Sequence, residues 1–185
     1  MKWCLRPYLL KLLAVVILSS LSSCKNSRYI TPPARIGATL NSVAAEADPQ
    51  FSYDGRYLVY TSDRKSKRSV YLYDLQRRRS IALPGLNQPG SMQSQADISA
   101  DGRYVVYISE QLGKSDVFLY NRLTARSENL TKNFIGEVRR PSISGNGRFV
   151  SFEGNRLGQW DIEIYDRGTG IDFSTPSTVL NLDRE

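Results

Sequence analysis

The chain contains no histidine. That removes the commonest general base and the commonest metal ligand together. A Ser-His-Asp triad cannot be assembled from these residues, however many serines are present. No Gly-x-Ser-x-Gly elbow occurs, and no glycine-rich phosphate loop. There are two cysteines, Cys4 and Cys24, too few for a disulfide framework or a zinc site. The longest unbroken apolar run, Leu12 to Leu18, is too short to cross a bilayer, which takes ~20 residues. Neither a metal nor a cofactor is expected.

The first segment has the layout of an export signal. Lys2, Arg6 and Lys11 precede the apolar run, and small residues follow it. The stretch "LSSC", Leu21 to Cys24, resembles the bacterial lipobox, in which a diacylglyceryl group is attached through the cysteine sulfur. The resemblance implies cleavage before Cys24, with 1–23 a lipoprotein signal peptide and Cys24 the lipidated residue. Cys4 leaves with the signal, so packing alone must stabilise the mature protein. Residues 24–39 carry Pro32-Pro33 and no periodicity. They read as a tether able to reach about 45 Å if extended. Lys25 after the cysteine leans toward the outer membrane under Gram-negative sorting. The positive net charge, +7 for the whole chain, falls once the signal cations are gone. It suits solubility or mild attraction to anionic envelope polymers, and nucleic acid is not expected as a partner.

From Leu40 onward one phrase recurs. "SYDGRYLVYTS" at Ser52 returns as "SADGRYVVYIS" at Ser99 and "SGNGRFVSFEG" at Ser144. Downstream, "SVYLYDL", "DVFLYNR" and "DIEIYDR" also correspond. A period near 45 residues marks a repeat architecture. Each copy reads as four short strands rich in Tyr, Val, Ile and Phe. The pairs Asp54-Gly55, Asp101-Gly102 and Asn146-Gly147 make tight hairpins, because glycine accepts the positive φ they need. Four antiparallel strands per copy is one propeller blade. The expected fold is all-β: three four-stranded antiparallel blades in an open, incomplete propeller spanning 40–185. Blade boundaries fall at about 40–85, 86–131 and 132–185.

These residues resemble the TolB-like β-propeller repeat, a WD40-like blade with a "P-x-F/W-S-P-D-G" lead and a "D-I-Y-L-Y-D" third strand. Pro49, Ser52, Asp54, Gly55, Tyr73 and Asp74 carry the match in the first copy. Ser99, Asp101, Gly102, Asp116 and Tyr120 carry it in the second. In the third it is carried by Pro141, Ser144, Gly147, Asp161, Tyr165 and Asp166. The resemblance implies a periplasmic envelope protein linked to Tol-type or biopolymer transport systems. TolB itself has six blades and a further α/β domain; this chain has room for three blades.

Several residues invite a functional reading. A calcium loop needs a dense run of oxygen ligands, and each turn offers one carboxylate at most, so the turn residues are read as structural. Asp161, Glu163 and Asp166 lack an opposed carboxylate for glycosidase chemistry. The tyrosines at period two read as packing between blades. Two basic clusters, Arg64, Lys65, Lys67, Arg68 and Arg77, Arg78, Arg79, are candidate contacts for an anionic partner, set against plain solvated turns. They should sit at opposite ends of the meander. In the third copy Ser151, Glu153 and Glu163 stand where the earlier copies carry Val59, Thr61 and Tyr71, then Val106, Ile108 and Phe118, which reads as one face turned polar to cap the array. The opposite end of the array, on the first blade, shows no such change and needs cover from the tether, a partner or a second copy. Three roles remain. The chain is a non-catalytic protein-interaction module bound to an envelope protein. Alternatively it self-associates, three blades plus three, into a six-bladed homodimer. Or it is an accessory binding domain for an envelope hydrolase.

Overall fold

The computed structural model divides the chain into two units, Met1–Pro33 and Ala34–Glu185. It describes residues 40–174, all in the second. Cys24, the signal and the tether lie outside the described residues. Three antiparallel sheets follow one another along the chain. The first comprises β1 (Glu46–Phe51), β2 (Tyr57–Ser62), β3 (Ser69–Asp74) and β4 (Arg79–Ile81). The second comprises β5 (Gln93–Ile98), β6 (Tyr104–Ser109), β7 (Asp116–Asn121) and β8 (Arg126–Asn129). The third has β9 (Val138–Ile143), β10 (Phe149–Gly154) and β11 (Asp161–Asp166). Its fourth strand is not found among the described residues. The expected all-β blade architecture is thus the observed one.

Each blade is opened by the same hydrogen-bonded turn. The Ser52 hydroxyl donates to Asp54 Oδ1 (2.6 Å), which also accepts the Arg56 N–H (2.9 Å). Ser99 and Asp101 repeat this, and Ser144 and Asn146 repeat it again at 2.7 and 3.0 Å. One side-chain oxygen does both jobs, which is why asparagine substitutes for aspartate at 146. The glycine that follows takes φ near +70° in all three turns.

Blades stack through two apolar seams. The face of the first blade carrying Tyr57, Val59, Val70 and Leu72 packs on Val105, Tyr107, Phe118 and Tyr120 of the second. The other face of the second, with Tyr104, Val106, Ile108, Val117 and Leu119, packs on Val138, Ile143, Val150 and Phe152 of the third. Each blade thus has a front face toward the next blade and a back face toward the one before. The tyrosines are packing residues, as their spacing suggests. Full burial of such side chains stabilises by roughly 1.5–3 kcal/mol each, so the seams are the main cohesive term among the described residues, none of which is a cysteine. Burial raises the Tyr107 phenol to about 12, although the Ser127 hydroxyl partners it at 2.9 Å.

Candidate functional site: the two ends of the array

Each blade is fitted to its successor by polar contacts in addition to the seam. In β1 and β5 a bulge places Asp48 and Gln95 at φ +52°. The Asp48 carboxylate accepts the Gln95 N–H (3.1 Å), and the Gln95 side-chain oxygen accepts the Arg140 N–H (2.6 Å). A front-face aromatic ring is then clasped by guanidinium groups. Tyr57 lies between Arg56 and Arg122, both 4.7 Å from its centroid. Tyr104 lies between Arg103 (5.1 Å) and Arg167 (4.2 Å). Arg122 and Arg167 come from the following blade and also donate to Gly102 O and Gly147 O at 2.8 and 2.6 Å.

The turn glycines complete the fit. A Cβ on Gly102 would stand 2.5 Å from the Tyr57 ring, and one on Gly147 would stand 2.7 Å from the Tyr104 ring. Gly55 has nothing within 4 Å. The hairpin alone accounts for all three glycines in the sequence; the second and third also let one blade's backbone lie against the preceding blade's tyrosine.

This fit stops at the third blade. The residue matching Asp48 and Gln95 is Arg140, which has no side-chain acceptor and turns back to Glu153 at 3.0 Å. Arg139 meets the same carboxylate at 2.6 Å, and these two arginines hold Glu153 below the usual carboxylate range. Phe149 takes Arg148 on one ring face (4.8 Å) and is 41% exposed. At the other end, Leu75 stands where Arg122 and Arg167 stand in the later blades. The first blade's back face, Leu58, Tyr60 and Tyr73, is packed by Leu40, Tyr71 and Leu75. The Arg64 guanidinium lies over Tyr71 (4.6 Å) and Tyr60 (5.5 Å) and donates to Leu40 O.

One expectation about the terminal blade is corrected. Phe152 pairs directly with Glu163, and Ser151 with Ile164. Directly paired residues share a sheet face, so Glu163 is on the back and Glu153 on the front. The polar residues do not make a single wetted face. The front carries Ser151 and Glu153 beside Phe149, Ile162 (70% exposed) and Ile164 (69%). Strand alternation was readable, but the register across the six-residue loop between β10 and β11 was not.

The basic clusters sit at opposite ends of β3, as expected. Arg64 is held as described and also pairs with Glu46 at 3.1 Å. Arg68 pairs with Asp63 (2.9 Å), and Lys67 donates to Gln88 O and to Ser91 O. Lys65 lines a shallow groove with Tyr71 and Leu83. In the other turn the Arg77 N–H donates to Asp74 (2.9 Å), and Arg78 takes φ +51° in an exposed loop beside Arg79. Thus three cations of the first cluster are bonded into the blade, and the arginine turn is the more open of the two.

A further contact had no readable signal. In the first and third blades the turn arginine binds the acid that ends the third strand: Arg56 to Asp74 (3.0 Å) and Arg148 to Asp166 (2.7 Å). In the second blade that acid is Asn121. Arg103 reaches instead to Asp172 at 2.6 Å. The Tyr104 hydroxyl donates to Asp172 O (2.8 Å), and Ser174 donates from its hydroxyl to Asp101. The chain beyond β11 is thereby drawn to the second blade's turn. Among the described residues no cluster of acids, cysteines or histidines has the arrangement of a metal site, and no helix is long and apolar enough to cross a membrane.

No family model matches the chain, and no curated protein matches it. Solved structures do. TolB from Acinetobacter baumannii superposes with a TM-score of 0.58 at 19% identity, over 69% of this chain and 31% of that one. A putative TolB from Agrobacterium tumefaciens gives 0.54 at 22% identity, over 64% and 42%. A puromycin-hydrolyzing peptidase from Mycobacterium tuberculosis gives 0.52 at 16% identity, over 69% and 20%. The chain spans less than half the length of each. At these identities the likeness concerns architecture: residues 40–174 have a TolB-like β-propeller fold, three blades long among the described residues.

Proposed function

We propose that the chain is an exported, lipid-anchored, non-catalytic interaction module of the bacterial cell envelope. Cys24 is its membrane attachment, and the blades face the periplasm. The outer membrane is favoured over the inner, and a Tol-type or biopolymer transport assembly is the setting the blade resemblance suggests. The observation that carries the reading is the front of the third blade. It exposes Phe149, Ile162 and Ile164 on one sheet face, with Ser151 and Glu153 directly opposite the two isoleucines, and exposed apolar residues grouped on one face mark contact surfaces. Aromatic and aliphatic anchors of this kind supply most of the affinity of protein interfaces.

The ends of the array support an open module over a six-bladed homodimer. In such a ring the first blade of one copy would meet the third blade of the other. It would bring Leu75 to the site where an arginine clasps the ring, and it would find Arg140 where an acceptor is needed. Light scattering on the detergent-solubilised protein is expected to give a monomer; a strict dimer would restore the ring. Capture of envelope proteins by the tagged chain, with Ile164→Lys in a parallel sample, tests the surface. Partners lost in the variant support the reading, and capture of none overturns it. Radiolabelled palmitate is expected to enter the wild-type chain and not Cys24→Ser.

A further inference from the structure

The outer edge of β11 has no strand partner among the described residues, whereas the edge of β9 gives its Arg140 and Ile143 N–H groups to the Gln95 and Asp97 side chains of the second blade. In the first two blades the chain turns back after Asp74 and Asn121, and Arg79 and Arg126 pair with them to start a fourth strand. In the third blade the matching stretch leaves the sheet, because Arg103, Tyr104 and Asp101 hold Asp172 and Ser174. No described residue therefore covers the backbone groups along this edge.

The two sides of this edge differ in chemistry. On the front, Ile162 and Ile164 match Val117 and Leu119 of the second blade, which are buried beneath the third. On the back, Glu163 stands where Phe118 fills the seam of the second blade. The replacement leaves a cleft of about 530 Å³, lined by Glu128, Lys132, Phe134, Phe152 and Tyr165 among others. Phe134 and Phe152 form its floor, edge to face at 5.5 Å. Glu163 and Glu128 line the cleft with Arg156 and Lys132, and Asp161, on the same face of β11, accepts from the Gln159 amide outside it. Arg156 is already paired with Glu163 at 3.2 Å.

We propose that the β11 edge takes up an extended segment of another protein as an added antiparallel strand. Alternate side chains of that segment are apolar and cover Ile162 and Ile164. A cationic side chain between them lies opposite Glu163, at the mouth of the cleft. Backbone pairing supplies affinity in such strand addition, and alternate side chains supply selectivity. Opposite charges directly across a strand pair are favourable and like charges are not. The second rule also disfavours a second copy. Two β11 strands paired antiparallel about a two-fold axis through Glu163 would set that carboxylate directly against its own copy.

The proposal rests on the interaction-module reading and names the manner of contact. Its test uses a fluorescein-labelled peptide, acetyl-Thr-Val-Lys-Val-Lys-Val-Thr-amide, and its counterpart with Glu in place of Lys, each titrated with the full chain in detergent. Anisotropy is expected to show the lysine peptide bound at least tenfold more tightly than the glutamate peptide. Ile164→Lys should abolish binding, and Glu163→Gln should weaken it several-fold. Hydrogen exchange should slow in β11, and not in β8, when the lysine peptide is added. Absence of binding by both peptides overturns strand addition. Protection of β11 in the isolated monomer overturns it in favour of the chain's own remaining residues. Protection that rises with protein concentration overturns it in favour of a second copy. Envelope partners that are captured equally by Ile164→Lys leave a module that binds elsewhere, and strand addition at β11 fails alone.

Discussion

Alanine at Gly55 and at Gly102 makes the same change in the same turn motif, with different expected consequences. Both glycines have φ near +70°, at +68° and +75°. An L-residue there costs about 1–2 kcal/mol in backbone strain, offset in part by ~0.4–1 kcal/mol from the stiffer unfolded chain. Gly55→Ala should therefore cost about 1 kcal/mol. At Gly102 the new methyl also meets the Tyr57 ring at 2.5 and 2.9 Å. Tyr57 is 1% exposed and held between two guanidinium groups, so the ring cannot swing clear without opening the seam. Forced overpacking of this kind adds roughly 1–3 kcal/mol. Gly102→Ala should cost about 2–4 kcal/mol in all. Equilibrium urea unfolding followed by tyrosine fluorescence reads the difference as a lower midpoint at unchanged slope. Combining Gly102→Ala with Tyr57→Leu should recover part of the loss, since the two changes share one contact. Equal destabilisation at 55 and 102, with no coupling to Tyr57, would refute the idea that the turn glycine also serves the blade junction.

Other outcomes follow from the same geometry. Asp74 is buried, which opposes ionisation, but donors from Arg77 and Arg56 outweigh this and hold it below its usual value; the Arg148 guanidinium and the Gly168 N–H bring Asp166 to about 2. Both groups are depressed in the folded state, so their contribution is present above about pH 4. It should fade as pH falls toward 2, seen as a falling urea midpoint. Tyr107, raised to about 12 by burial, should ionise last in an ultraviolet titration at 295 nm; its neutral form stabilises the fold below about pH 10, and this support is lost as pH approaches 12. Arg64→Ala should cost about 1–2 kcal/mol through lost stacking on Tyr60 and Tyr71, whereas Arg78→Gly should be neutral or slightly stabilising at its positive φ; thermal melts separate them. Asn121→Asp should draw Arg103 back into the second blade and speed hydrogen exchange at residues 172–174, with β6 unaffected.

Much of the architecture was legible because it is periodic. Three copies of Ser-x-Asp/Asn-Gly-Arg, each followed by alternating aromatic and β-branched residues, specify hairpins and half-buried strands locally. The relation between strands was less legible. Glu153 and Glu163 looked like one polar face, because nothing in the six residues from Asn155 to Trp160 states the register that puts them on opposite sides. The basic run at Arg64 looked like a surface patch, since a string of cations does not reveal that two tyrosines and a main-chain carbonyl lie within reach. The course of Asp172 and Ser174 was hidden for another reason. It depends on Asn121 failing to hold Arg103, a difference of one side-chain atom acting on a residue far along the chain.

The bulge at the head of each sheet makes the row of blades directional, and this bears on how such a chain can lengthen. A duplicated middle unit would arrive with an acceptor at the Gln95 position and a clasping cation at the Arg122 position, and so would seat itself against either neighbour. A duplicated final unit would bring two arginines and no acceptor to its junction, and a duplicated first unit would bring leucine where a guanidinium belongs. Growth of this protein by internal copying is therefore open from the centre and closed at both ends.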